Sequence, residues 1–318
     1  MRVREFPSLL WLALLLGLPA PAASAPELIA STPPIHSLVA AVSGEQAQPH
    51  LLVPGGQSPH TFSLAPSDAR VLAHADAVFT AGGSADDFLE RPLATLAGEA
   101  RVVRMAEADG ARRLPARTSE RWHAEDGHEH DGGDDGHGHD GPSHETEIDP
   151  HLWLDPRNAI AFTQAVGEAL AELDPAHAER YHARAERQVE RLRALDARLR
   201  ERLRPVADRP YLVFHDAYQY FEARYDLAAT GSVAIDPERP PGARHLSELR
   251  ARITQGGIGC LFTEPQFEPR IAQVVAEDLD LRLSTLDPLG AALEPGPELY
   301  FELLEGLADS LRDCLAPA

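Results

Sequence analysis

The chain has 318 residues, a formal net charge of -21, 15 histidines and no lysine. This length corresponds to roughly two domains, and an apolar fraction of 43% is that of a chain that folds. The negative charge disfavours nucleic acid and anionic membrane surfaces as partners and favours cations.

The first 25 residues predict an export signal. Arg2 and Arg4 form a basic start, an apolar run covers 9–18, and small residues cover 20–25. The run is shorter than the roughly 20 residues of a membrane-spanning helix, which argues against a retained anchor. We therefore expect a soluble periplasmic protein, and the absence of a cysteine near the cleavage zone argues against a lipoprotein.

Residues 26–173 predict an N-terminal α/β lobe. Strands are predicted at 28–31, 51–54, 77–81 and 101–105, and helices at 34–42, 66–73, 84–96 and 156–173. The segment 120–149 interrupts this lobe with His, Asp, Glu and Gly, a composition that cannot pack a core. We interpret it as a flexible loop that either collects metal ions or is a solvated spacer. Its candidate auxiliary metal ligands are His123, His128, His130, His137, His139 and His144.

A long helix at 174–205 is predicted to join the first lobe rigidly to a C-terminal α/β lobe at 206–318. A coiled-coil dimer seam is the alternative, but the apolar stripe covers few heptads, and we expect a monomer. Strands of the second lobe are predicted at 211–214, 259–263 and 282–286. Because ligands of open α/β sheets collect at the carboxyl ends of strands, the residues that follow these strands are candidates. They are His215, Glu264 and Asp287.

The sequence contains two cysteines, Cys260 and Cys314. In an exported protein they are predicted to form a disulfide. Two free buried thiols are the alternative, and a two-cysteine zinc site is disfavoured by their wide spacing.

Three histidines in turn-rich or strand-end positions are candidate metal ligands: His60, His151 and His215. Each histidine taken singly is more often a structural or surface residue, and their wide spacing does not establish a common site. Glu264 is expected either to hydrogen-bond a ligand histidine or to be purely structural. We expect Trp153, Phe214 and Tyr218 to pack around these residues.

Several sequence blocks together resemble the zinc-specific solute-binding proteins of ABC transporters, the ZnuA family. They are Pro59-His60 with Ser67-Asp68, the His/Asp-rich loop, His151-Leu152-Trp153-Leu154, Phe214-His215-Asp216-Ala217-Tyr218, Thr263-Glu264-Pro265 and Leu286-Asp287-Pro288. The resemblance covers essentially the whole mature chain, and Cys260 and Cys314 match the disulfide positions of the family.

The resemblance implies two (β/α) lobes joined by a long helix, with Zn²⁺ held in the interlobe cleft by His60, His151 and His215. Asp287 matches the position where relatives supply a carboxylate, and the alternative for this fourth position in zinc members is water or a mobile acidic side chain. Imidazole nitrogen suits Zn²⁺, whereas Mn²⁺ prefers carboxylate oxygen. We therefore expect a non-enzymatic protein that captures Zn²⁺ and delivers it to the membrane permease of an ABC transporter.

Three other functions are open to this sequence. A manganese or iron importer component can share the fold, and a metal buffer would bind ions only through the acidic loop. A secreted zinc hydrolase would also have three protein ligands and an open position, but no His-Glu-x-x-His motif occurs.

Overall fold

The structure is a computed structural model that describes residues 25–117, 147–234 and 241–317. The predicted export signal and all six loop histidines lie outside the described residues. Within the described ranges, no helix combines the length and apolarity needed to cross a membrane.

The N-terminal lobe is built on a parallel four-stranded sheet with the order β2-β1-β3-β4. Its strands are β1 (Leu28–Ala30), β2 (His50–Leu51), β3 (Ala77–Thr80) and β4 (Arg101–Arg104). Its helices are α1 (Pro33–Ser43), α2 (Pro66–Leu72) and α3 (Asp87–Leu96). Buried apolar strands such as β3 are typical of a parallel sheet covered on both faces.

The C-terminal lobe repeats this arrangement in a second parallel sheet with the order β6-β5-β7-β8. Its strands are β5 (Tyr211–His215), β6 (Ala229–Ala234), β7 (Cys260–Thr263) and β8 (Arg282–Thr285). Its helices are α6 (Gln219–Tyr225), α7 (Ala243–Gly256), α8 (Arg270–Ala276) and α9 (Leu299–Leu315). The two-lobed parallel α/β prediction is therefore confirmed.

Two long helices, α4 (Pro156–Leu173) and α5 (Ala178–Leu203), lie between the two sheets in the chain. Asp155 caps the first turn of α4 by accepting a hydrogen bond from the backbone of Arg157 at 2.9 Å. The 26 residues of α5 span roughly 39 Å, and α5 packs against both α1 and α9. One buried apolar cluster contains residues of both sheets and of α5.

The helix predicted at 174–205 differs at both ends from the observed one. Pro175–His177 and Arg204–Val206 are 3-10 turns that flank α5. The C-terminal sheet also contains β6, which sequence patterning missed because its segment mixes Thr, Gly and Ser with few apolar residues.

The predicted disulfide is present between Cys260 of β7 and Cys314 of α9, with a Cα–Cα distance of 6.2 Å. It fastens the last helix to a central strand of the second sheet. No free cysteine remains in the chain.

Candidate metal centre

Three histidines from distant parts of the chain meet between the two sheets. His60 lies in the loop between β2 and α2, His151 precedes the turn Leu152–Leu154, and His215 ends β5. One ring nitrogen of each lies within 4.8 Å of the others, and the Nε2 atoms of His151 and His215 are 3.4 Å apart. Three imidazoles can therefore converge on one small cation.

Two of these side chains are almost fully removed from solvent. His151 is 5% exposed and His215 is 4% exposed, whereas His60 is half-buried. Trp153 and Phe267 pack against the rings of His151 and His215 respectively. The site is thus a small pocket with His60 at its more accessible side.

A buried carboxylate orients each of the two buried histidines. The Nδ1 atom of His215 lies 2.5 Å from Glu264 Oε1, and that of His151 lies 2.8 Å from Asp149 Oδ1. Each carboxylate accepts a hydrogen bond from Nδ1–H, so the Nε2 lone pair is left to face the pocket. The structure thus shows the contact expected of Glu264, while the partner role of Asp149 was not predicted.

The electrostatic environment differs between the two buried rings. Burial, and then the neighbouring His215, lower the pKa of His151 well below its usual range. Burial also acts to lower the pKa of His215, but the Glu264 carboxylate, together with Asp216 and Asp149, outweighs it and the pKa is raised. Burial raises the pKa of Asp149 to about 7.

The loop that carries His60 contacts both lobes. Phe62 packs edge-on against Phe88 of α3, with ring centroids 5.0 Å apart. On the other side, Gly55 lies against Ala291 so closely that a Cβ at Gly55 would be 2.9 Å from its Cα. These contacts hold His60 over the pocket, and glycine is required at position 55 for the close approach.

Asp287 does not join the three histidines. Its Oδ1 accepts hydrogen bonds from the backbone of Leu289 at 3.0 Å and of Gly290 at 2.9 Å, and its Oδ2 accepts from Ala291 at 2.5 Å. This geometry suits a carboxylate that shapes the 287–291 turn. Among the described residues, the donor atoms that group together are those of the three histidines only, so the role of Asp287 as a metal ligand stays a prediction.

The chain segments that flank 118–146 pair with each other as a short ribbon. The Ala116 backbone donates to Glu147 O at 2.7 Å, and the Asp149 backbone donates to Leu114 O at 2.9 Å. The ribbon brings Asp149 beside the pocket. The sequence contains no strand signal at these positions.

Arg117, at the end of this ribbon, reaches into the C-terminal lobe. Its guanidinium donates to Asp216 Oδ1 at 2.9 Å and to Glu222 Oε2 at 2.8 Å. Both carboxylates are nearly inaccessible to solvent, and Asp216 is adjacent to His215. Arg117 therefore clamps the two lobes together next to the pocket.

The aromatic residues predicted to surround the site do pack there, and they also fix the backbone. Trp153 Nε1 donates to Pro288 O at 2.8 Å, and the Tyr218 hydroxyl donates to Leu286 O at 3.0 Å. Phe214 stacks on Phe267. Each of these contacts stabilises the end of an element that carries or borders a candidate ligand.

Comparisons with known protein sequences agree with this geometry. A family model described as ZnuA, zinc-uptake complex component A periplasmic, matches residues 28–314. The chain is 40% identical over 310 residues to a protein named high-affinity zinc uptake system protein ZnuA from Brucella suis biovar 1 (strain 1330), covering 91% of each chain. It is 32% identical over 306 residues to the protein of the same name from Yersinia pestis, covering 95% of each chain.

Solved structures share the fold. A structure titled as the crystal structure of ZnuA superposes with a TM-score of 0.77 at 22% identity, covering 92% of this chain and 100% of the other. The periplasmic zinc-binding protein TroA from Treponema pallidum superposes with a TM-score of 0.73 at 21% identity, covering 92% and 99%. These likenesses support the two-lobed architecture.

Proposed function

The chain belongs to the ZnuA family as a periplasmic zinc-binding component of a zinc uptake system, and from this membership we propose that His60, His151 and His215 bind the transported ion. The single observation that carries the proposal is the convergence of these three imidazoles within 4.8 Å. Three neutral nitrogen donors suit Zn²⁺ better than Mn²⁺, which prefers oxygen-rich sites.

The surrounding side chains support capture of one ion. Imidazole binds metal only when neutral, and burial keeps the pKa of His151 low. Asp149 and Glu264 hold the two buried rings through their Nδ1 atoms, so little ordering is needed when the ion arrives. The half-buried His60 is the ligand nearest to solvent and is the side chain by which an ion would enter or leave.

The remaining steps are proposed from the family and the sequence. The segment 1–25 directs export, and the histidines of the acidic segment raise the local Zn²⁺ concentration. The loaded monomer then docks on the membrane permease of an ABC transporter. No covalent bond is made or broken, so the protein acts as a binding component and not as an enzyme.

The test is calorimetry of Zn²⁺ and Mn²⁺ binding to the mature protein and to a variant carrying His60→Ala, His151→Ala and His215→Ala. A matched control replaces three histidines outside the pocket, His50, His74 and His182, by alanine. We expect tight, zinc-selective binding in the parent and the control, and only weak binding in the site variant.

Two outcomes would contradict the proposal. Unchanged zinc affinity in the site variant would move the main receptor to the acidic segment. Preference for Mn²⁺ at equal availability would instead indicate a manganese importer component.

A further inference from the structure

A tyrosine hydroxyl of the C-terminal lobe holds the ribbon that carries Asp149. Tyr220 of α6 is fully buried, and its hydroxyl donates to Asp149 O at 3.1 Å and accepts from the Leu114 backbone at 2.9 Å. The Asp149 backbone in turn donates to Leu114 O. The hydroxyl therefore takes the place of the second backbone hydrogen bond that two directly opposed residues of an antiparallel pair exchange.

A second side chain of α6 holds the Asp149 carboxylate. With its amide nitrogen facing the ribbon, the half-buried Gln219 donates to Asp149 Oδ2 at 2.9 Å and to Pro115 O at 3.1 Å. The other carboxylate oxygen, Oδ1, accepts from the His151 backbone at 3.0 Å and from His151 Nδ1 at 2.8 Å. The carboxylate thus has one oxygen for α6 and one for His151.

These contacts join the two buried histidines of the candidate centre. α6 begins at Gln219, shortly after His215 ends β5, so the segment that carries one ligand also places the other through Asp149. The Nε2 atoms of His151 and His215 are 3.4 Å apart, and tetrahedral bonds of about 2.0 to 2.1 Å to Zn²⁺ place two nitrogens about 3.4 Å apart. The spacing of the two rings therefore fits the ion, and it depends on where Asp149 is held.

The Tyr220 hydroxyl is suited to hold the ribbon because it keeps its proton. Burial raises the pKa of Tyr220 to about 12, so the bond to Asp149 O persists at neutral pH. Tyr225 lies at the other end of the same helix and is also buried, but its hydroxyl donates to Asp196 Oδ1 at 3.1 Å. The helix therefore supplies a second buried tyrosine hydroxyl that does not bind the ribbon.

We propose that Tyr220 and Gln219 are positioning residues for Zn²⁺ binding. They fix Asp149 in the place from which it directs Nε2 of His151 toward the ion. This inference rests on the proposed function, since it takes His151 and His215 as ligands. Neither Tyr220 nor Gln219 touches the ion, and their effect on affinity passes through Asp149.

The test removes the hydroxyl alone with Tyr220→Phe and uses Tyr225→Phe as the matched control. Zinc dissociation constants of the mature protein are measured by competition with a chromophoric chelator. Residues that orient a metal ligand typically contribute ten- to a hundredfold to affinity. Because Tyr220 acts one contact further out, we expect the dissociation constant to rise about tenfold for Tyr220→Phe and to stay unchanged for Tyr225→Phe. Equal dissociation constants for the parent and Tyr220→Phe would overturn the inference.

A double-mutant cycle with Asp149→Ala separates positioning from a general loss of stability. If Tyr220 acts through Asp149, Tyr220→Phe should change the zinc dissociation constant by less than about twofold in the Asp149→Ala background. A merely structural role would weaken binding by the same factor in both backgrounds, and that result would overturn the inference.

Gln219→Met is a second variant for the same cycle, because it removes the amide that holds Asp149 Oδ2 and leaves the tyrosine in place. It should weaken zinc binding in the parent and leave it nearly unchanged in the Asp149→Ala background. Equal losses in both backgrounds would overturn the role of Gln219 and Tyr220 while the histidine site stands. Tight zinc binding that survives loss of the three histidines would instead overturn both this inference and the proposed function.

Discussion

Replacing Arg117 by methionine should destabilise the folded protein by about 3 kcal/mol at pH 8. The guanidinium is the shared partner of the Asp216 and Glu222 carboxylates. Even beside it, burial raises the pKa of Asp216 to about 6 and that of Glu222 to about 7. At pH 8 both are therefore ionised in the parent, and without Arg117 the two buried carboxylates must either stay charged with no partner or take up protons.

The magnitude follows from the burial of the three groups. Loss of one partner from a buried ion pair typically costs about 3 to 5 kcal/mol. The Arg117 side chain is 23% exposed, so water screens part of the interaction and the lower end of that range applies. The raised pKa values give the sign with pH, since the carboxylates can take up protons near pH 5 and the destabilisation should shrink there.

The assay is urea unfolding of the metal-free protein, arranged as a double-mutant cycle of Arg117→Met and Glu222→Gln. Glutamine removes the buried charge, so it should be more favourable in the Arg117→Met background than in the parent, by about 2 kcal/mol. Arg312→Met at an exposed ion pair is the control and should leave stability nearly unchanged, because water screens exposed ion pairs. The same effect of Glu222→Gln in both backgrounds would refute the clamp.

Three further predictions concern stability. Burial raises the pKa of Asp86 to about 6 above an unfolded value near 3.9, so the parent loses stability as the pH rises from about 4 to about 6. In urea unfolding, Asp86→Asn should therefore gain about 3 kcal/mol relative to the parent between pH 4 and pH 8, and a constant difference would contradict this. Gly167→Ala should lower the midpoint of thermal unfolding, because the added Cβ would lie 2.9 Å from the Cβ of Ala185. Gly306→Ala is the control, since a Cβ there meets no atom within 4 Å, and equal effects of the two substitutions would contradict the packing argument. Replacing Cys260 and Cys314 by alanine should cost about 4 kcal/mol in urea unfolding for a sequence separation of 54, and no loss would mean that the bridge does not constrain the unfolded chain.

Much of the fold could be predicted from local patterning. Apolar runs such as Tyr211–Phe214 and turn residues such as Pro156 mark strands and helix starts wherever the local preference agrees with the tertiary structure. β6 was missed because its pairing with β5 outweighs the weak strand preference of its own residues. The ends of α5 shifted by a few residues because its flanking turns are 3-10 and share the same pattern.

The residues of the site also divide into those that the sequence predicts and those that only the tertiary structure reveals. His60, His151 and His215 were found because each lies in a recognisable block, and Glu264 because it follows a strand. Asp149 lies beside His151 in the sequence, yet its contact with Nδ1 depends on the ribbon that turns it inward. Nothing in the sequence singled it out.

The sequence by itself determined the composition of the centre: imidazole donors and a disulfide on a repeated parallel α/β scaffold. The tertiary structure alone decided which atoms meet. It turned Asp287 toward backbone amides and brought Arg117 to two carboxylates about 100 residues away. The physical reason is that a hydrogen bond requires its donor and acceptor atoms to lie about 3 Å apart. Residues that are distant in the chain reach this separation only when the packing of the two lobes places their segments side by side.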